Sequence, residues 1–80
     1  MRARVYVSLK PSVLDPQGKT IQHVLASLGH GAVADVRQGK FFEIELSGVT
    51  DPAGAKGEIE QIAREVLANP VTEEFRVELL

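Results

Sequence analysis

The chain turns at Lys10-Pro11-Ser12-Val13-Leu14-Asp15-Pro16-Gln17-Gly18-Lys19, where an extended opening segment meets a first helix. Pro11 has no amide hydrogen and restricts the residue before it to extended geometry, so a strand should stop at Lys10. Asp15-Pro16 is typical of a helix start, because the carboxylate can accept from free first-turn amides and the proline presets a helical φ. This stretch therefore predicts a strand before it and a helix after it.

The residues on either side of this turn follow two different periodicities. Val5, Val7 and Leu9 alternate with more polar residues, which is the pattern of a strand with one buried face. From Pro16 to about Leu28 the spacing i, i+3, i+4, i+7 predicts an amphipathic helix. Its apolar residues are Ile21, Val24, Leu25 and Leu28. Gly29 follows, and we expect it to end the helix in the left-handed backbone conformation.

Two further alternating runs flank residues 37–40 and predict a β-hairpin. The first run has Ala32, Ala34 and Val36, and the second has Phe42, Ile44 and Leu46. We expect Gly39 to supply the positive φ of a tight connection.

The second half of the chain is predicted to contain a second helix and a last strand. Asp51-Pro52-Ala53-Gly54 opens a second helix, which Asn69-Pro70 should stop. The apolar face of this helix is predicted to hold Ala55, Ile59, Ile62, Ala63 and Val66. Alternation over residues 75–79 predicts a last strand.

The element order is therefore β-α-β-β-α-β within a single domain, residues 1–80. It predicts an α+β, ferredoxin-like two-layer sandwich, in which an antiparallel sheet carries both helices on one face. The opposite face would lack cover from its own chain, and we interpret its apolar residues as a self-association surface. Those residues are Tyr6, Val33, Phe41 and Leu80.

Composition excludes several classes of function. A formal charge of -2 on 80 residues gives no general attraction to nucleic acid or to anionic membranes. The chain has no cysteine, which excludes disulfides, thiolate metal sites and a thiol nucleophile. No apolar run is long enough to cross a bilayer, so we predict a cytoplasmic protein.

Candidate catalytic groups have little support in the sequence. His23 and His30 have no carboxylate or second histidine at ligand spacing, so we interpret both as solvated. Gly18-Lys19-Thr20 resembles the end of a phosphate-binding loop, but the earlier glycine of that motif would fall at Val13. We predict no catalytic residue and no metal site in this chain.

Four cations are harder to interpret. Arg37 and Lys40 bracket the predicted hairpin tip, while Lys10 and Lys19 bracket the first helix start, where free amides favour an anion. They are either solvated loop cations or a patch that docks a partner or holds an anion.

Five segments, in this order and at these spacings, resemble the PurS family, the small subunit of phosphoribosylformylglycinamidine synthase in purine biosynthesis. They are Val7–Lys10, Val13–Gly18, Leu28-Gly29, Val36–Lys40 and Leu67–Val71. The chain departs from the family pattern at Thr72 and Phe75, where a larger apolar residue and a tyrosine are usual.

The resemblance implies a non-catalytic subunit that joins a glutaminase subunit to a large ATP-dependent synthetase subunit. Ammonia from glutamine would then reach formylglycinamide ribonucleotide. It also implies a homodimer or higher homo-oligomer that binds no cofactor itself, while the complex uses ATP, Mg²⁺ and glutamine. The partner-binding surface is predicted to hold Lys10, Asp15, Pro16, Gln17, Gly18, Arg37, Gly39, Lys40, Asn69 and Pro70.

Three other functions are compatible with this element order or with the exposed residues of the sheet and loops. A ligand-sensing domain of the ACT type has the same order, although such modules are usually fused to an enzyme. An RNA-binding sheet could present Tyr6 and Phe41, but neighbouring glutamates oppose phosphate approach. An acylphosphatase-like enzyme could use Arg37 as a phosphate ligand, but no anion-cradling loop accompanies it.

Overall fold

A computed structural model describes all 80 residues. Its elements are β1 (Arg2–Leu9), α1 (Pro16–Ser27), β2 (Gly39–Glu45), α2 (Pro52–Ile62) and β3 (Glu73–Leu79). The three strands form one antiparallel sheet in the order β2-β1-β3. The α+β class and the ferredoxin-like arrangement are confirmed, with three strands in the sheet rather than four.

The predicted strand over residues 32–36 and the hairpin turn after it are wrong. Residues 33–38 have no regular secondary structure and return along α1, where Gln22 Nε2 donates to the Ala34 carbonyl at 2.6 Å. Gly39 has no positive φ and is instead the first residue of β2. A Cβ on Gly39 would lie 2.8 Å from the Val7 carbonyl oxygen, so glycine serves a close approach to β1 there.

The core lies between the inner face of the sheet and α2. Val5 and Val7 of β1 are almost wholly buried, as is Ile59 of α2. Half-buried apolar residues of β2, β3 and α2, and of the segments that directly follow β2 and α2, surround them. These are Phe42, Ile44, Leu46, Ile62, Leu67, Phe75, Val77 and Leu79.

Helix α2 begins as its sequence predicts and ends differently. The Asp51 carboxylate accepts from the amides of Ala53 and Gly54, and Pro52 occupies the first turn. At its end α2 widens into a π-helical turn, Ala63–Leu67. Because that turn breaks the 3.6-residue period, Val66 is 75% exposed, and its predicted burial is wrong.

Helix α1 takes no part in the core, although we expected both helices to cover one face of the sheet. None of its residues belongs to the core cluster, and the molecule measures 50 × 25 × 14 Å. The radius of gyration is 16.1 Å, against about 12 Å for a compact chain of this length. We call the three strands with α2 the head, and residues 16–38 the arm.

No helix of the chain has the length and apolar character needed to span a bilayer.

Candidate functional site

One carboxylate joins the arm to the head. Asp15 is only 5% exposed; its Oδ1 accepts from the Gly18 amide at 3.0 Å and its Oδ2 accepts from the Gln38 amide at 2.7 Å. The first bond caps α1, and the second fixes the end of the returning segment. These two amides, followed by the charge of Arg37, lower the pKa of Asp15 against the opposing effect of burial.

The Arg37 guanidinium also connects the arm to the turn between β1 and α1. Its Nη2 donates to the carbonyl oxygens of Lys10 and Val13 at 3.0 and 2.9 Å. Arg37 therefore holds the turn between β1 and α1, and its interpretation as a free phosphate ligand loses support.

Gly18 lets the two halves of the arm approach each other. A Cβ there would lie 2.1 Å from the Val36 carbonyl oxygen and 2.8 Å from Asp15 Oδ2. Any other side chain would force the returning segment away from α1. Asp15, Gly18, Arg37 and Gln38 together form what we call the joint.

A cleft of about 500 Å³ lies beside the joint, between the start of α1 and the ends of β1 and β2. Five of the predicted site residues line it, which brings together positions from two segments of the chain. They are Asp15, Pro16, Gln17, Gly39 and Lys40. The cleft also holds Glu73, whose Oε2 lies 3.8 Å from Lys40 Nζ. Two carboxylates make this cleft a poor cradle for an anion and suit it to polar contacts with a protein.

Three other predicted residues meet at the carboxyl end of β1. Lys10 Nζ donates to the Pro70 carbonyl at 2.8 Å, and Asn69 Oδ1 accepts from the Val71 amide at 2.9 Å. Glu73 Oε1 accepts from the Asn69 amide at 2.8 Å, so this residue connects the second cluster to the cleft. Glu73 is not among the predicted site residues, and its position in the sequence gives no signal of this role.

Three of the four bracketing cations are thus engaged by the chain itself. Lys10 binds a carbonyl, Arg37 binds two, and Lys40 faces Glu73, while Lys19 is exposed on α1 without an ion pair. The arrangement favours a docking surface over an anion-holding patch.

The outer face of the sheet carries a second candidate surface. The rings of Tyr6 and Phe41 lie 6.1 Å apart, with Arg76 stacked 4.3 Å from the first and Arg4 5.1 Å from the second. Since guanidinium groups already cover these rings, the face does not offer the free aromatic platform of an RNA-binding sheet.

The predicted set on this face needs one correction. Phe41 and Leu80 are exposed at the sheet, next to half-buried Tyr6. Val33 lies on the arm instead, because residues 33–38 do not join the sheet.

The chain is similar from end to end to proteins of known family. A family model described as PurS, phosphoribosylformylglycinamidine (FGAM) synthase, matches residues 2–80. The PurS subunit of phosphoribosylformylglycinamidine synthase from Mycobacterium leprae is 43% identical over 76 residues, which cover 95% of this chain and 91% of that protein.

Solved structures agree with the sequence comparison. Bacillus subtilis PurS superposes with a TM-score of 0.80 at 40% identity, covering 96% of this chain and 94% of that one. A chain in the structure of PurLQS from Thermotoga maritima superposes with a TM-score of 0.88 at 30% identity, covering 99% and 95%.

Proposed function

Because the chain belongs to the PurS family of phosphoribosylformylglycinamidine synthase subunits, we propose that it joins a glutaminase subunit to a large ATP-dependent synthetase subunit in de novo purine biosynthesis. The observation that carries the proposal is the end-to-end similarity to a chain solved within PurLQS. In the proposed complex, which we place in the cytoplasm, the other subunits use glutamine, ATP and Mg²⁺. This subunit binds none of them.

The chain would contribute positioning and no bond chemistry. Ammonia released at a glutaminase is diluted into solvent and protonated unless the acceptor site is held nearby. A subunit that fixes the two sites in register raises coupled turnover by proximity alone. Its partner-binding residues then need shape and polar complementarity rather than shifted pKa values.

The cleft beside the joint suits this docking role. Pro16, Gln17, Lys40 and Asn69 are exposed to a partner, whereas Asp15 and Gly18 are buried. We therefore assign the exposed residues to contact. The buried ones, with Arg37 and Gly39, shape the backbone that presents them.

The proposal predicts a defect that is specific to glutamine. Synthesis should be measured with the glutaminase and synthetase subunits, with and without this chain, using either glutamine or a high concentration of ammonium as nitrogen source. Omitting the chain should abolish most glutamine-driven turnover and leave ammonia-driven turnover close to its full value. Equal loss of both activities would contradict a positioning role.

The same assay can locate the docking surface. Gln17→Ala with Lys40→Ala should raise the half-saturating concentration of this subunit about fivefold or more, because each side chain contacts a partner. Gln61→Ala with Lys56→Ala removes the same two residue types from exposed positions of α2 and should change nothing. An unchanged half-saturation in the first pair would move the contact away from the cleft.

We further propose that copies of the chain associate through the outer face of the sheet as a homodimer or larger assembly. Apolar Phe41 and Leu80 are exposed there, and cations and carboxylates alternate around them. A mixed surface of this kind is typical of a subunit contact.

A further inference from the structure

The loop between the π turn and β3 exposes apolar side chains from a backbone that is held in place. Residues 68–72 form no helix or strand. Val71 is 76% exposed, more than any other large apolar side chain of the molecule, and Pro70 beside it is exposed as well. A single exposed valine needs no explanation, so the argument rests on how this loop is built and on what surrounds it.

The amides of the loop are bonded within the chain. The Ala68 amide donates to the Ala63 carbonyl and the Val71 amide donates to Asn69 Oδ1, both at 2.9 Å. Asn69 and Glu73 exchange two bonds of 2.8 Å, since the Asn69 amide donates to Glu73 Oε1 and the Glu73 amide donates to the Asn69 carbonyl. These bonds fix the loop on the side of α2 and β3.

Lys10 holds the same loop from the end of β1. Its amide donates to the Thr72 carbonyl at 2.9 Å, and its Nζ donates to the Pro70 carbonyl at 2.8 Å. Because the loop is ordered in advance, a partner that binds it loses little affinity to the ordering of a flexible segment.

The π turn adds a second exposed valine close to the first. It leaves Val66 75% exposed, at a position that a regular helix would bury. Such turns are rare and are frequent at functional sites. Five residues separate Val66 from Val71, a length of chain that spans at most about 18 Å. One interface of standard size, about 800 Å² on each partner, can therefore cover both.

A groove of about 310 Å³ lies between the π turn and the start of β3. It is lined by Arg64, Ala68, Pro70, Glu73, Glu74 and Phe75. Arg64 lies 3.8 Å from Glu60 as an ion pair, whereas Glu74 is exposed and has no ion pair in the chain. The groove therefore suits a large apolar side chain with a cation beside it.

We propose that Val66, Pro70, Val71 and this groove form a second docking surface, which we call the loop patch. It binds a large apolar side chain and an adjacent lysine or arginine of the subunit that does not occupy the cleft. The inference rests on the proposed function, because a chain that joins two subunits needs two surfaces that can be occupied at once. The cleft and the groove share only Glu73, so their occupants would be neighbours across this residue.

Photo-crosslinking in the assembled complex tests the assignment. The crosslinking residue p-benzoylphenylalanine is placed at position 71, at position 17 in the cleft, or at position 56 on the exposed side of α2 as a control. Both partner subunits, glutamine and ATP-Mg²⁺ are present. Position 71 should link to one partner subunit, position 17 to the other, and position 56 to neither.

Links from positions 17 and 71 to the same subunit would overturn the loop patch, as would links from position 71 to another copy of this chain or to no protein. The proposed function has a separate test, since it fails only if the wild-type chain does not support glutamine-driven synthesis. The two failures are therefore distinguishable.

Substitutions in the loop patch give a second measurement. Val71→Glu should raise the half-saturating concentration of this chain in glutamine-driven synthesis about tenfold or more, because it places a carboxylate where an apolar side chain docks. Val71→Ile keeps the apolar contact and should stay within about twofold. Circular dichroism checks that both variants remain folded. An unchanged half-saturation in Val71→Glu would overturn the proposal.

The charge of Glu74 tests the chemistry of the occupant. Glu74→Gln should raise the half-saturating concentration about threefold and weaken its dependence on ionic strength, because an ion pair with the partner is lost. Glu58→Gln removes an equally exposed, unpaired carboxylate from α2 and should change neither quantity. Equal effects of the two substitutions would show that no cation of the partner lies at Glu74.

Discussion

At the scale of single residues, Asp15 performs two structural tasks with two oxygens. It caps α1 through Gly18 and fixes the end of the arm through Gln38. Asp51 has the same local sequence and caps α2, but its carboxylate is exposed and bonds only to its own helix. The two positions are therefore a matched pair for separating the capping role from the tethering role.

The Asp15→Asn substitution should lower the melting temperature at neutral pH by several degrees, and by more than Asp51→Asn does. The two backbone N–H groups bond to separate oxygens of Asp15, whereas asparagine has one oxygen and turns an NH2 donor toward the other N–H. Asparagine also lacks the negative charge that Arg37 favours. Thermal unfolding of the wild type and both variants at matched protein concentration measures the difference.

The pH dependence of that difference has a definite sign. The pKa of Asp15 in the folded chain lies below its ordinary value of 3.8, so the unfolded chain takes up the proton first as pH falls. The stability that Asp15 contributes is complete above the ordinary value and is lost as pH falls through the lowered one. The gap between wild type and Asp15→Asn should narrow below pH 3.8; a gap that stays constant through this range would show that the carboxylate charge is not what stabilises the joint.

At the scale of elements, the end of α2 shows how one irregular turn redirects side chains. An unbroken helix would place Ile59, Ile62 and Val66 on one face, with Val66 buried beside the other two. The π turn over Ala63–Leu67 buries Ala63 and turns Val66 to solvent. The chain then reaches Asn69-Pro70, where the helix cannot continue.

Two alanine substitutions should distinguish the buried Ile59 from the exposed Val66 by their effect on stability. Ile59→Ala should lower the free energy of unfolding by about 2–5 kcal/mol, because it leaves a cavity under β1. Val66→Ala should change it by less than about 0.5 kcal/mol, since an exposed side chain loses little on truncation. Urea denaturation measures both. Equal losses would mean that α2 continues as a regular helix with Val66 in the core.

At the scale of the whole molecule, the outer face of the sheet is the surface through which we propose that copies associate. Phe41→Asp should weaken assembly through the outer face, because it places a carboxylate beside Glu43 in the centre of that surface. Val66→Asp, at another exposed apolar position, which lies outside the sheet, is the control.

Sedimentation velocity of both variants tests this prediction. Phe41→Asp should reduce the largest assembly to a smaller one. Val66→Asp should behave as the wild type. If Phe41→Asp leaves the mass unchanged, the outer face is free of other copies and available to a different subunit.

The features that the sequence determined by itself are those that depend on neighbours within a few residues. The caps at Asp15 and Asp51 are confirmed, as is the left-handed Gly29 with φ 94°. Each is set by backbone groups one to four positions away. The alternating strands β1 and β3 and the positions where α1 and α2 begin also follow from local pattern, and together they indicate the fold class.

Tertiary structure alone decided which segments meet. Residues 32–36 alternate as a strand should, yet they lie outside the sheet, because alternation specifies a half-buried surface and does not specify the partner that covers it. The sequence singled out half of the residues that line the cleft but gave no reason to include Glu73, which reaches Lys40 only after β1, β2 and β3 have paired. Local chemistry therefore sets caps, turns and periodicity, whereas contacts between distant segments depend on packing that no short stretch of this chain contains.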